Sequence, residues 1–431
     1  MNSAMAMPLA WAKNLRKNTL VINAFYLMAS TLVVAGAGFV FWVVVAKRYD
    51  TTAVGLATTL LSVSNLLSLL GLAGFDTTFV RFLPGTLRKN EYINSGFIVV
   101  TVLTLILATV VGLILPLVSP SLGIVRSPWA FASFVFFTVA TGLNVLTNAV
   151  FLAYKRARYI FIINSLFSGF KVVLPLIIVG DAITIFTLSG LAQLLGVILS
   201  IAWMHRKFDY RFAFFFDHEA IKVVRKFSLS VYSSSILNLL PPTLLPLIIV
   251  ADMGPKNAAF YYMAFTIAGV LYTIAYASTQ SAFAEGSHDE KSLMSHVARA
   301  AKLIGVLLIP AAIITAVASH LLLTTFGKQY AGGATTLLQI FALSALPVAG
   351  YSALGAIFKV TKNLRAVVTM NIGYTAAIVS LSLWLVPRMG LLGVGWAWLI
   401  GNILACGIGA SFIKNKGGRQ GNGKTATARR R

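Results

Sequence analysis

The sequence predicts an all-α polytopic membrane protein with twelve transmembrane helices in two parallel-related six-helix lobes. Three observations predict it. Apolar runs of bilayer-crossing length recur along the 431 residues, hydrophobic residues reach 58% against 11% charged, and the cations gather in alternate loops. The mean hydropathy of +0.85 and the scarcity of charge exclude a soluble globular domain, which needs a larger water-facing surface. A hydrocarbon core about 30 Å thick requires roughly 20 apolar residues per helix. That places spans near 20–46, 53–80, 94–118, 128–152, 159–180, 184–204, 228–250, 257–283, 303–323, 333–358, 366–386 and 391–413. Backbone amides in lipid must be satisfied within the segment, so these runs are helices, and the short alternating strands of a membrane barrel are absent.

The first element follows Lys13, Arg16 and Lys17. Its apolar run, about 27 residues, exceeds the core of a signal peptide and reads as a retained helix. From there the charges set the topology. The net charge of +24 arises from 35 Lys and Arg against 11 Asp and Glu. Outer loops hold only Lys47, Arg48, Arg126, Lys256, Lys328 and Arg388, and Lys171 lies inside a span; the other cations fall on one side. The positive-inside rule then makes both termini cytoplasmic, in the plasma membrane, and assigns the basic excess to membrane lipids rather than nucleic acid. Trp42, Trp129, Trp384, Trp396 and Trp398 fall near the outer span ends, where indoles favour the interface.

The longest polar interruption divides the chain into an N-terminal six-helix lobe (1–205), a cytoplasmic inter-lobe linker (206–227) and a C-terminal six-helix lobe (228–413). A basic tail expected to be disordered follows (414–431), without an acidic residue. The same basic pattern precedes each set of six, Lys13-Asn-Leu-Arg16-Lys17 and Lys222-Val-Val-Arg225-Lys226. A repeat with an even number of spans keeps its orientation, which relates the halves by an axis along the membrane normal. Phe212 to Phe216 within the linker is expected along the inner membrane surface.

Candidate hinges are Gly36 and Gly38 in the first span and Pro241 and Pro242 at the equivalent place in the seventh, since glycine loosens and proline kinks a helix. Small residues also serve helix packing. Charges within spans cost at least about 2.5–3.5 kcal/mol near the bilayer centre and are seldom kept without a use. Lys171 lies near mid-depth, and Asp76 and Arg81 stand five residues apart at the inner end of the second span. These three are the candidate substrate-binding residues, with mutual neutralisation as the bland alternative. No catalytic, metal or cofactor constellation emerges. The five histidines lack ligand spacing, no Gly-rich nucleotide loop exists, and Cys406 stands alone.

Ala46-Lys-Arg48-Tyr-Asp50-Thr-Thr-Ala-Val-Gly55-Leu-Ala57, Gly74-Phe-Asp76 to Arg81-Phe-Leu-Pro84, Phe283-Ala-Glu285-Gly286, Gly327-Lys-Gln-Tyr330-Ala and Gly390-Leu-Leu-Gly393-Val-Gly-Trp-Ala carry a resemblance. Over residues 15–413 the chain resembles the polysaccharide-biosynthesis flippases of the multidrug/oligosaccharidyl-lipid/polysaccharide exporter superfamily. The resemblance implies two lobes around a central cavity. It also implies translocation of polyprenyl-phosphate-linked oligosaccharide from the inner to the outer leaflet for surface glycan synthesis. Lys171 and Arg81 would meet phosphate, no cofactor is implied, and glycan polymerases or glycosyltransferases are the candidate protein partners. A cation or drug antiporter of the same superfamily ranks second, because the first span has no carboxylate and the mid-membrane charge is positive. A membrane lipid-sugar transferase ranks third, since no intramembrane or large outer-loop carboxylate site supports an enzyme.

Overall fold

The computed structural model describes residues 19–213, 218–286 and 293–428, and within them every regular element is helical. The cations Lys13, Arg16 and Lys17, residues 214–217 of the linker, and residues 429–431 lie outside the described residues. The chain forms two compact units, Met1–Tyr232 and Ser233–Arg431. Ten described helices are long and apolar enough to cross a membrane, or eleven when one bent pair counts as a single span.

In the first unit α1 (Thr19–Arg48) packs along α6 (Ala157–Ile177). Polar clasps space the pair along its length: the Ala157 N–H donates to Asn23 Oδ1 at 2.8 Å, and Asn164 Nδ2 donates to Ser30 Oγ at 2.8 Å. At the far end Arg48 Nη1 donates to the Leu176 carbonyl at 2.7 Å, and the Tyr49 hydroxyl donates to the Ile178 carbonyl. Asp50 caps α2 (Thr51–Leu72) by accepting from the Thr52 N–H, and the Thr52 contacts hold its carboxyl below the usual carboxylate range.

The span expected over 53–80 is broken. Ala73 and Gly74 take left-handed backbone with φ of 48° and 83°, ending α2 and starting the short α3 (Phe75–Phe82). Close packing explains the spacing just before the break, since a Cβ on Gly71 would sit 1.9 Å from Thr104 Oγ1. α4 (Lys89–Val118), α5 (Pro128–Ala153) and α7 (Ala182–Phe208) complete the unit. Helices α2 and α5 share a buried polar ladder: Ser68 Oγ donates to the Thr138 carbonyl at 2.7 Å, and Thr138 Oγ1 lies 2.9 Å from Ser64 Oγ. Asn144 on α5 bonds the Gln193 side chain on α7.

The linker expected over 206–227 is helical at both ends, because α7 runs to Phe208 and α8 (His218–Met253) begins within it. Between them the chain turns at Asp209 (φ 51°) and is strapped to α4. The Tyr210 hydroxyl donates to Asn94 Oδ1 at 2.5 Å, and Asn94 Nδ2 donates to the Arg211 carbonyl at 3.1 Å.

The second unit holds most of α8, then α9 (Pro255–Gly286), α10 (Leu293–Val317), α11 (Ser319–Thr324), α12 (Lys328–Leu343), α13 (Ala345–Val360), α14 (Leu364–Met389) and α15 (Leu391–Ala428). Two expected spans differ. The one over 333–358 is the α12/α13 pair, bent by 42° at Ser344, and the one over 303–323 is divided between the end of α10 at Val317 and the short α11. The tail expected to be disordered from 414 continues α15 as far as Ala428, no proline intervening to stop a helix already nucleated in the preceding span. Helices α14 and α15 form a tight hairpin, in which a Cβ on Gly393 would lie 2.6 Å from the Leu385 carbonyl.

Of the outer-end tryptophans, Trp129, Trp384 and Trp396 are exposed, whereas Trp42 and Trp398 are buried in protein.

Candidate functional site

Lys171 sits on α6, half-buried, with its Nζ 4.5 Å above the ring of Phe41 on α1. Phe41 is fully buried and packs edge-on to Trp42 at 5.0 Å. Among the described residues no carboxylate pairs with this ammonium, so the ring supplies its counter-charge, a contact worth about 0.5–2 kcal/mol. Pro175, one turn on, cannot donate to the Lys171 carbonyl. Asp76 and Arg81 share α3, beyond the break in the second span. Asp76 Oδ1 is buried without a hydrogen bond, and the exposed Arg81 guanidinium lies 5.3 Å from the Phe82 ring. The structure therefore brings Lys171 to Phe41 rather than to Asp76.

The hinge candidates separate by environment. A methyl group on Gly36 or Gly38 would meet nothing within 4 Å, so close packing does not require either glycine. α8 runs unbroken through Pro241 and Pro242. Pro241 has no N–H for the Leu237 carbonyl, and the Thr375 hydroxyl on α14 donates to that carbonyl instead.

Pro242 also lines a cavity of about 570 Å³ inside the second unit, between α8, α9, α13, α14 and α15. Its wall is aromatic and uncharged except at one point. The rings of Tyr351 and Tyr374 stack with centroids 4.6 Å apart, Tyr272 stacks on Trp398, and Phe265 meets Trp398 edge-on at 5.1 Å. The polar groups are amides and hydroxyls. The Tyr351 hydroxyl lies 2.7 Å from Oδ1 of Asn238 and 2.6 Å from Oδ1 of Asn371, and the Thr279 and Ser352 hydroxyls lie 2.6 Å apart. Among the described residues, Lys359, exposed in the last turn of α13, is the only charged group of the lining, and no carboxylate lines it.

The first unit's own recess, about 260 Å³, is lined by Phe97, Ile98, Val102, Leu143, Val197, Ile201 and Phe212, with Thr101 and Thr147 as its hydroxyls. It offers apolar surface and no charge.

Sequence reasoning followed charges and missed the second unit's cavity. Its signal was present as helical spacing of aromatic and amide residues: Tyr272, Tyr276 and Thr279 on α9, Tyr351, Ser352, Gly355 and Lys359 on α13, and Val367, Asn371 and Tyr374 on α14.

The sequence matches the family described as polysaccharide biosynthesis protein over residues 50–335. The chain belongs to that polysaccharide biosynthesis protein family. Family membership and the apolar helices make it a multi-pass membrane flippase or transporter. No curated protein matches the sequence. Among solved structures, it is similar to the inward-closed lipid II flippase MurJ at 13% identity with a TM-score of 0.75, over 91% of this chain and 87% of that one. It is also similar to an inward-facing multidrug resistance MATE family transporter of the MOP superfamily, at 17% identity with a TM-score of 0.70, over 91% and 98%. A MOP superfamily transporter from Pyrococcus furiosus, described as having a binding pocket of reversed polarity, matches at 15% identity with a TM-score of 0.59, over 92% and 95%. At these identities the likeness establishes the fold of that superfamily, which the family member shares.

Proposed function

We propose that this polysaccharide biosynthesis family member is a flippase that moves polyprenyl-phosphate-linked oligosaccharide from the inner to the outer leaflet of the plasma membrane by alternating access. The observation that carries the reading is the lining of the 570 Å³ cavity: among the described residues, aromatic, amide and hydroxyl groups with one lysine and no carboxylate. A cation exporter needs negative charge where its cargo sits, because a desolvated cation left unpaired costs several kcal/mol. A lipid-linked sugar needs the reverse, namely surfaces for a polar uncharged head and a cation for its phosphate.

Lys171 and Arg81 add cationic groups in the first unit, and Lys171, held by a ring rather than a carboxylate, keeps its charge available for phosphate. Asp76 is the place for a coupled cation, its Oδ1 being buried and unbonded. Gly36, Gly38, Pro241 and Pro242 supply the bending. With both termini cytoplasmic, outward movement of an anionic head is favoured by about 2.3 kcal/mol per charge per 100 mV of inside-negative potential. Glycosyltransferases that build the cargo and a polymerase that consumes it are the expected neighbours.

Deletion of the gene tests the reading. The lipid-linked sugar should accumulate in the inner leaflet with drug sensitivity unchanged. Normal leaflet distribution with altered drug sensitivity would replace the flippase with an antiporter.

A further inference from the structure

We propose that the cavity of the second unit is a saccharide subsite in which a pyranose ring stacks on Tyr276 and Lys359 takes the adjoining phosphate. The proposal rests on the lipid-linked-sugar reading above and adds where on the chain the sugar is held.

The other cavity aromatics are used up on one another. Tyr351 and Tyr374 stack together, and Trp398 is sandwiched by Tyr272 on a face and by Phe265 and Tyr374 at edges. Tyr276 differs: it lines the same cavity, is 42% exposed, and meets no other ring among the described residues. An aromatic face is electron-rich and apolar, and the axial C–H face of a pyranose is the complementary surface.

Around that face the edge groups of a sugar find partners of both kinds. Asn238 and Asn371 set amide groups beside the Tyr351 hydroxyl on the cavity wall. Trp398 lines the cavity in a side chain only 2% exposed, its indole stacked on Tyr272. The volume of about 570 Å³ lies within the roughly 300–1,000 Å³ of small-molecule sites. Lys359 is the one charge on the wall among the described residues and lies on α13 while Tyr276 lies on α9, so phosphate and ring are served by different elements.

The experiment is calorimetric binding to the purified full-length chain in an amine-oxide detergent, since maltoside head groups should compete for the subsite. The probes are farnesyl diphosphate and farnesyl diphosphate carrying N-acetylglucosamine. The sugar-bearing probe should bind about tenfold more tightly, the size of one good stacking contact with its hydrogen bonds. Tyr276→Ala should erase that increment while leaving farnesyl diphosphate unchanged, and Tyr276→Phe should retain it. Lys359→Ala should weaken both probes alike. Asn371→Leu gives a second route to losing the increment if Tyr276→Ala elutes as aggregate. Equal affinity of the two probes for the parent, or an increment that survives both Tyr276→Ala and Asn371→Leu, would overturn the subsite. Loss of the subsite beside intact glycolipid translocation would leave the flippase standing. A sugar increment in a chain that translocates no glycolipid would support the subsite and remove the flippase.

Discussion

The two units place polar chemistry in an apolar slab by opposite means. In the first, polar side chains join helix to helix: the Ser64–Thr138–Ser68 ladder, the Asn144–Gln193 bond and the clasps between α1 and α6. Its recess is apolar, and its mid-span charge rests on a phenylalanine. In the second, tyrosines and asparagines converge on a cavity and leave the aromatic face of Tyr276 open to it. The difference teaches that buried polar groups mark a binding surface when they converge on open space rather than on one another.

The sharpest way to break this comparison is to neutralise the first unit's charge. Lys171→Met keeps the alkyl stem and forfeits a cation–π contact of about 0.5–2 kcal/mol. Translocation of a lipid-linked sugar by reconstituted vesicles should fall more than about tenfold, while Lys171→Arg keeps most of it. Unchanged translocation by Lys171→Met would leave phosphate handling entirely to the second unit.

Next in size is Gly36→Ala combined with Gly38→Ala. Space is open at both positions, so each substitution should stabilise α1 by up to about 1 kcal/mol. If α1 bends during transport, the doubly substituted chain melts higher and translocates more slowly. Higher stability with full transport would relieve the glycines of a hinge role.

Thr138→Val tests whether the first unit's ladder is structural. It preserves shape and deprives Ser64 of its partner, at a cost of about 1–3 kcal/mol. Thermal stability should drop without altering sugar binding by the second unit.

The smallest effect is expected at the strap beyond α7. Burial pushes the Tyr210 phenol up to about 12, from an ordinary value of 10.0. Because the folded value is raised, this contribution is whole below the unfolded value and lost as pH climbs from 10.0 through about 12. Hydrogen exchange of residues 209–213 should stay slow to the lower bound and quicken above it. Tyr210→Phe should lose about 1 kcal/mol and this high-pH step with it.

The helical, membrane-spanning character was legible because bilayer thickness imposes a length that composition cannot hide. The breaks were not. Ala73 and Gly74 lie within an apolar run that hydropathy reads as continuous, and the bend at Ser344 falls where Pro347, in the first turn of α13, has no N–H for the Leu343 carbonyl. The site was legible only where it was charged. Lys171 stood out against lipid, yet Tyr276, Tyr351, Asn371 and Trp398 look ordinary in a chain whose aromatic residues make up 12%. Trp398 was expected at the interface and instead lies among Phe265, Tyr272 and Tyr374. Convergence of five helices is a tertiary fact, and no single helix announces it.

The most direct measurement is leaflet exchange of a fluorescent polyprenyl-diphosphate sugar in proteoliposomes holding the full chain. Protein-dependent movement that speeds under a potential negative on the cytoplasmic side is the expected result. Movement no faster than in protein-free liposomes, alongside exchange of an organic cation for protons, would contradict it.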